Sequence, residues 1–237
     1  MKFIVGILLL LVILMSGNDG NNTTETRDLV ASSVVTIYGK TKGGYSSGGT
    51  GFSVNAPSGR TYIITNKHVC GLRDASGHIT VKFPGLFRKY KRRIIEISSN
   101  HDLCLIESLP SFRRGLNVAD EAVIGETSYA VGHPKLYALT VSKGQFIEEA
   151  EINVVMSGAK TPRVIDDIRS SQFSLLRNII PFKASRFIMY SRGGNSGSPI
   201  VNSDGEVISV LFAGSPGDNM ETYGVPLRFL KSFISGY

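Results

Sequence analysis

Tyr62-Ile63-Ile64-Thr65-Asn66-Lys67-His68-Val69-Cys70 is the stretch that decides how this 237-residue chain folds. Four β-branched or aromatic residues run into a polar stop at Asn66 and Lys67, and a histidine follows. Similar short runs recur on both sides. They are Val34-Val35-Thr36-Ile37-Tyr38, Gly51-Phe52-Ser53-Val54, Ile79-Thr80-Val81-Lys82-Phe83, Arg93-Ile94-Ile95-Glu96-Ile97, Leu103 to Glu107 and Val207 to Phe212. Gly, Pro, Asn and Ser punctuate them. So many short strands predict an all-β antiparallel barrel or sandwich rather than βαβ units. Pro84-Gly85 marks a turn between two strands, and Arg88, Lys89, Lys91, Arg92 and Arg93 just beyond it predict a solvated, charged hairpin face. Leu227, Leu230, Phe233 and Ile234 share one side of a short terminal helix over 227–234. A second helical pattern is expected within 157–182, over Val164 to Asn178, as a long insertion of the kind that forms functional loops or lids.

The hydrophobic fraction of 42% is enough for a sizeable core. Lys and Arg total 26 against 19 for Asp and Glu, a formal charge of +7. Charges spread this widely describe a basic surface. Nucleic acid is not an expected partner, because no zinc finger, phosphate loop or aromatic RNA-binding signature accompanies them. With only Cys70 and Cys104, a disulfide scaffold and a four-cysteine zinc site are both excluded. One bridge or two buried thiols both fit the sequence. No His-Glu-x-x-His helix or clustered ligand set occurs, so no metal or cofactor is expected.

Lys2 and the apolar run Phe3 to Met15, followed by Ser16-Gly17-Asn18-Asp19-Gly20, have the layout of a secretory signal. A helix over that run reaches about 20 Å, short of the roughly 30 Å hydrocarbon core. The expectation is an exported protein (periplasmic, secreted or lumenal), tethered to a membrane only if the signal stays uncleaved as an anchor. Residues 1–17 are thus assigned to the signal, 18–28 to a disordered linker and 29–237 to the folded domain.

Arg192-Gly193-Gly194-Asn195-Ser196-Gly197-Ser198-Pro199-Ile200-Val201 surrounds one serine with three glycines before a β-type run. An exposed nucleophile beside backbone N–H groups turned toward an oxyanion needs such backbone freedom. A Gly/Ser-rich surface loop has the same composition. His68 alone is most often a solvated residue, and Asp102, opening the run Leu103-Cys104-Leu105-Ile106, could simply terminate a strand. Together, in the order His, Asp, Ser, each at a strand edge, they match one of the orders in which a catalytic triad is assembled.

These residues resemble the trypsin-like peptidase family, and within it the HtrA-type (Deg) branch, over about 200 residues. The resemblance is carried by Gly48-Gly49-Thr50-Gly51-Phe52, by 62–69, by Asp102-Leu103-Cys104-Leu105-Ile106, and by the nucleophile motif. Ala130-Val131-Gly132-His133-Pro134, Thr140-Val141-Ser142-Lys143-Gly144 and Asp204-Gly205-Glu206-Val207-Ile208 complete it. It implies two six-stranded antiparallel β-barrels, over about 29–115 and about 116–237, with a short C-terminal helix. It implies a serine endopeptidase in which His68, Asp102 and Ser196 form the triad, and the N–H groups of Gly194 and Ser196 form the oxyanion hole. Polypeptides, unfolded proteins among them, would be the substrates. Tyr190, six residues before the nucleophile, stands at the floor of the primary specificity pocket, with Leu211, Phe212 and Ala213 along its wall. An uncharged floor implies cleavage after small or medium apolar residues. His101 and His133 are not candidate bases. Asn195 replaces the aspartate that pairs with a freed amino terminus in zymogen-activated members, so activation by cleavage is not expected. Ser198 stands where a second glycine is usual. No PDZ domain is expected after the terminal helix. The alternatives are a catalytically silent binding module on the same fold and a basic exported protein that binds polyanions.

Overall fold

A computed structural model of the chain describes residues 22–40, 44, 46–112, 115–155, 163–165, 179–214 and 220–237. Six strands, β1 (Val34–Lys40), β2 (Ser46–Asn55), β3 (Thr61–Thr65), β4 (His78–Lys82), β5 (Lys89–Ile97) and β6 (Cys104–Glu107), close into an antiparallel barrel in the order β1-β2-β3-β6-β5-β4. The short runs read as β-type in the first half of the chain are these strands. The apolar runs of β3 and β6 have a simple origin, since successive side chains point to opposite faces and both faces are covered, whereas β5 alternates with one face in solvent. In β3, Ile63 packs with Val35, Ile37, Val81 and Ile106, while its neighbour Ile64 joins a second cluster. That second cluster runs from Phe52, Val54 and Leu105 to Val131, Val201, Val207 and Val210 of the other half.

The second half comprises β7 (Thr127–Gly132), β8 (Thr140–Val155), β9 (Arg163–Ile165), β10 (Ile179–Ile188), β11 (Pro199–Val201), β12 (Val207–Gly214) and β13 (Glu221–Pro226). The order β10-β13-β12-β11-β7-β8 closes on itself because β8 also pairs with β10, and β9 adds a seventh strand outside that ring. The helix α3 (Leu227–Ile234) has the bounds expected from its apolar side, and it buries Leu227, Leu230 and Ile234.

Two expectations require correction. The chain is helical from Asn22 to Ser33 (α1), which overlaps most of the linker assigned to 18–28. The last turn of α1 buries Val30 and Ser33, and one apolar anchor in a polar stretch gives little periodic signal. The helix expected within 157–182 is also not found where the structure describes that segment. Residues 163–165 and 179–182 are strand, and both pair with β8, with Val164 buried. The rest of that segment lies outside the described residues.

A short helix, α2 (Lys67–Cys70), follows β3. Cys70 at its end and Cys104 at the start of β6 form a disulfide across a separation of 34 residues, which decides the question the sequence left open. Both cysteines are fully buried. Closing a loop of that size restricts the unfolded chain by roughly 3–4 kcal/mol. The Cys70→Ala/Cys104→Ala variant is therefore expected to lose about 3 kcal/mol of stability in equilibrium urea unfolding, and dithiothreitol is expected to shift the midpoint of the parent but not of the variant.

Candidate active site

β3 ends at Thr65, and the turn at Asn66 sends the chain into α2, which carries His68. Its partner Asp102 lies in the bend before β6, and β3 and β6 pair with Thr65 opposite Cys104. The two side chains therefore meet through strand register. His68 Nδ1 lies 2.7 Å from Asp102 Oδ2, and the His68 backbone N–H donates to Oδ1 at 3.0 Å. A carboxylate only accepts, so Nδ1 carries the proton and Nε2 presents a lone pair. Nε2 is buried without a hydrogen-bond partner among the described residues. Asn66, fully buried, donates from Nδ2 to the Asp102 carbonyl at 2.9 Å and fixes the bend from behind. The disulfide joins the residues two positions after His68 and Asp102.

Ser196 comes from the second barrel, in the turn before β11. Gly194 and Gly197 take φ of +99° and +87°, where a side chain would be strained. A Cβ on Gly197 would also collide with the Thr50 carbonyl, and one on Gly194 would lie 2.6 Å from the His133 carbonyl oxygen. The turn presents the Gly194 and Ser196 N–H groups with no acceptor among the described residues, as an oxyanion site requires.

Thr50, fully buried on β2, holds this turn in place. Its N–H donates to the Ser196 carbonyl (2.8 Å), and its hydroxyl donates to the Gly194 carbonyl (2.8 Å) while accepting from the His133 N–H (3.0 Å). Its own carbonyl accepts from the Thr65 hydroxyl at 2.7 Å. A 3₁₀ turn at Pro134–Leu136 adds a bond from Lys135 N–H to the Gly193 carbonyl (2.6 Å), with Lys135 and Leu136 at φ of +52° and +62°. Two adjacent non-glycine residues in that region are costly, and the strain is located against the nucleophile turn. The sequence offered Thr50 only as part of a glycine-rich motif. Nothing in it announced the hydroxyl's two-way role, nor the position of Asn66.

The Tyr190 ring is half-exposed, with the Arg192 guanidinium 5.0 Å from its centroid. Leu211 and Phe212 are core residues, and the Phe212 ring packs edge-on against Phe182. The end of β12, at Ala213 and Gly214, abuts the 190–192 segment, since a Cβ on Gly214 would strike the Ser191 hydroxyl. Thr222, fully buried, donates to the Met189 carbonyl at 2.9 Å and contacts the Ser191 hydroxyl at 2.9 Å. Ser191 and Thr222 were not singled out from sequence. His101 stacks on Phe229 of α3, away from His68, and desolvation, then Arg228, holds its pKa below the usual histidine value. His133 donates from Nδ1 to the Tyr137 carbonyl, and burial lowers its pKa as well. Neither histidine faces the triad.

Residues 49–210 match the trypsin-like peptidase domain. Among curated proteins, the chain is 32% identical over 197 residues to the putative protease Do-like 12, mitochondrial, of Arabidopsis thaliana, covering 81% of this chain and 34% of that protein. The chain thus spans about a third of that relative's length. Among solved structures, the Rv3671c protease from M. tuberculosis in its active form superposes with a TM-score of 0.66 at 17% identity, covering 98% of this chain and 94% of that one. An HtrA-type protease, AlgW, determined with a tripeptide, superposes with a TM-score of 0.64 at 16% identity, covering 89% of this chain and 61% of that one. These structures share the two-barrel fold. The matched domain occupies more than half of the sequence and encloses His68, Asp102 and Ser196, and the chain belongs to the trypsin-like peptidase family, a family of serine endopeptidases.

Proposed function

We propose that the chain hydrolyses peptide bonds of polypeptide substrates through an acyl-enzyme on Ser196. The observation that carries this reading is the two-point clasp of His68 by Asp102, with Nδ1 and the backbone N–H each bound to a different carboxylate oxygen. That clasp fixes the tautomer in which Nε2 accepts a proton. Ser196 Oγ attacks the scissile carbonyl carbon and gives its proton to Nε2, and Asp102 stabilises the imidazolium. The oxyanion accepts hydrogen bonds from the Gly194 and Ser196 N–H groups. Collapse expels the amine, which takes the proton from Nε2. Water then repeats the sequence on the acyl-enzyme. The bond from Ser196 Oγ to Nε2 is not formed in this structure, and catalytic hydrogen bonds often tighten only when substrate is bound.

The specificity reading is cleavage after small or medium apolar residues. No carboxylate occurs at positions 189–192 or 211–214, and Arg192 places a cation at the rim beside Tyr190. A Lys or Arg side chain entering there would be desolvated without a counter-charge. We read the compartment as an oxidising one outside the cytosol, supported by the buried disulfide and the signal-like run Phe3 to Met15.

Three measurements test these assignments. Ser196→Ala is expected to abolish labelling by a fluorophosphonate probe and to lower casein hydrolysis by about 10⁴-fold or more, and retained labelling would refute the nucleophile assignment. Thr50→Val removes the hydroxyl that holds the Gly194 carbonyl. It is expected to lower kcat about tenfold with KM nearly unchanged, while Thr50→Ser restores most of the rate. Peptide reporters with Val or Ala at the cleaved position are expected to exceed an Arg reporter in kcat/KM by at least about tenfold, and the reverse order would exclude the pocket assignment.

A further inference from the structure

The turn between β4 and β5 exposes its apolar side chains rather than covering them. Phe87 is fully exposed and Leu86 is a little over a third exposed (37%), at the tip after Pro84-Gly85, where Gly85 takes φ of +71°. Around them the side chains of Lys82 at the end of β4, Arg88 just before β5 and Lys89 at its start are exposed, with Lys91 further along; Arg93 is exposed at the far end of the ladder, opposite His78. Part of this charge is neutralised, because Lys91 pairs with Asp74 at 3.0 Å and the half-buried Arg92 pairs with Glu107 at 2.8 Å. Arg88 and Arg93 have no ion pair among the described residues, and Lys89 lies over the Tyr38 ring at 3.8 Å. A convex tip with an apolar point and a cationic collar offers no groove for a peptide. It matches the boundary of an anionic bilayer, apolar point toward the acyl region and cations among the headgroups.

The placement of the hairpin agrees. β4 runs antiparallel to β1 with Lys82 opposite Thr36, so the turn after β4 lies at the end of the barrel where the chain enters β1 at Val34. The sequence upstream of that entry is α1, preceded by the apolar run Phe3 to Met15. The helix α1 therefore joins the first barrel at the end that carries the hairpin tip.

We propose that the β4–β5 hairpin is a membrane-contact element that seats Leu86 and Phe87 in an anionic lipid surface, held there by Arg88 and Lys89. This is independent of the catalytic assignment. Each cation near such a surface strengthens binding about fivefold, and burying one aromatic tip contributes about tenfold.

The test uses the full chain, co-sedimented with phosphatidylcholine vesicles and with vesicles that also contain phosphatidylserine. Phosphatidylserine is expected to raise the affinity of the parent chain at least about tenfold. Phe87→Ser is expected to lower affinity for both kinds of vesicle about tenfold, and Arg88→Glu to lower the phosphatidylserine increment about fivefold or more, each leaving fluorophosphonate labelling unchanged. Equal binding to both vesicles would overturn the proposal. So would parent-like binding by Phe87→Ser. If Arg88→Glu alone lost binding, and lost heparin binding in parallel, the hairpin would be a site for soluble polyanions or acidic polypeptides instead.

Discussion

The candidate site depends on one junction between two barrels. His68 and Asp102 belong to the first barrel and Ser196 to the second, so no element within either half can fix their relation. Thr50 does so from β2. One residue uses its N–H, its hydroxyl and its carbonyl in four bonds on three different segments: the nucleophile turn at both Ser196 and Gly194, the 133–137 connection and the end of β3. Each such bond contributes only about 1 kcal/mol net, but a buried partner left unpaired costs more, so the network is satisfied as a unit or not at all. The apolar cluster that spans both barrels supplies the adhesion, and Thr50 supplies the registration.

The nucleophile turn is pressed from two sides. From the first barrel, the Gly49 and Thr50 backbone approaches so closely that side chains at Gly49 or Gly197 would collide. From the second, Lys135 and Leu136 hold left-handed backbone against Gly193 and Gly194. An oxyanion site must exist before charge develops, and its donors must not find other acceptors. Close packing around the turn is one way to keep two N–H groups aimed at empty space. The strain at 135–136 is retained because the surrounding contacts over-determine it.

What the sequence disclosed follows from which forces are local. Strand type in 62–65, 79–82 and 207–212 was legible because β-branched residues and abrupt polar stops act within a few positions. The candidate triad was read from a conjunction, since His68, Asp102 and Ser196 each sit at a strand edge, and the structure brings His68 to Asp102. The role of the Thr50 hydroxyl was not, because its acceptor and donor lie at separations of 144 and 83 residues. The same holds for β9 and the start of β10, whose strand character comes from pairing with β8 rather than from their own pattern. Phe212 was placed along a pocket wall because it neighbours the right strand. Its ring in fact faces the core, a distinction that side-chain alternation decides and that one residue of register would reverse.

The disulfide has a meaning for the history of each molecule. Cys70 and Cys104 are held at bonding distance by the pairing of β3 with β6, the same register that brings His68 to Asp102. A chain in an oxidising compartment that has not made this pairing keeps two free thiols and remains open to exchange partners. One that has made it carries a covalent mark, buried from further chemistry. The bridge thus ties the residues beside His68 and Asp102 together covalently, and its loss is readable by thiol chemistry before any substrate is met.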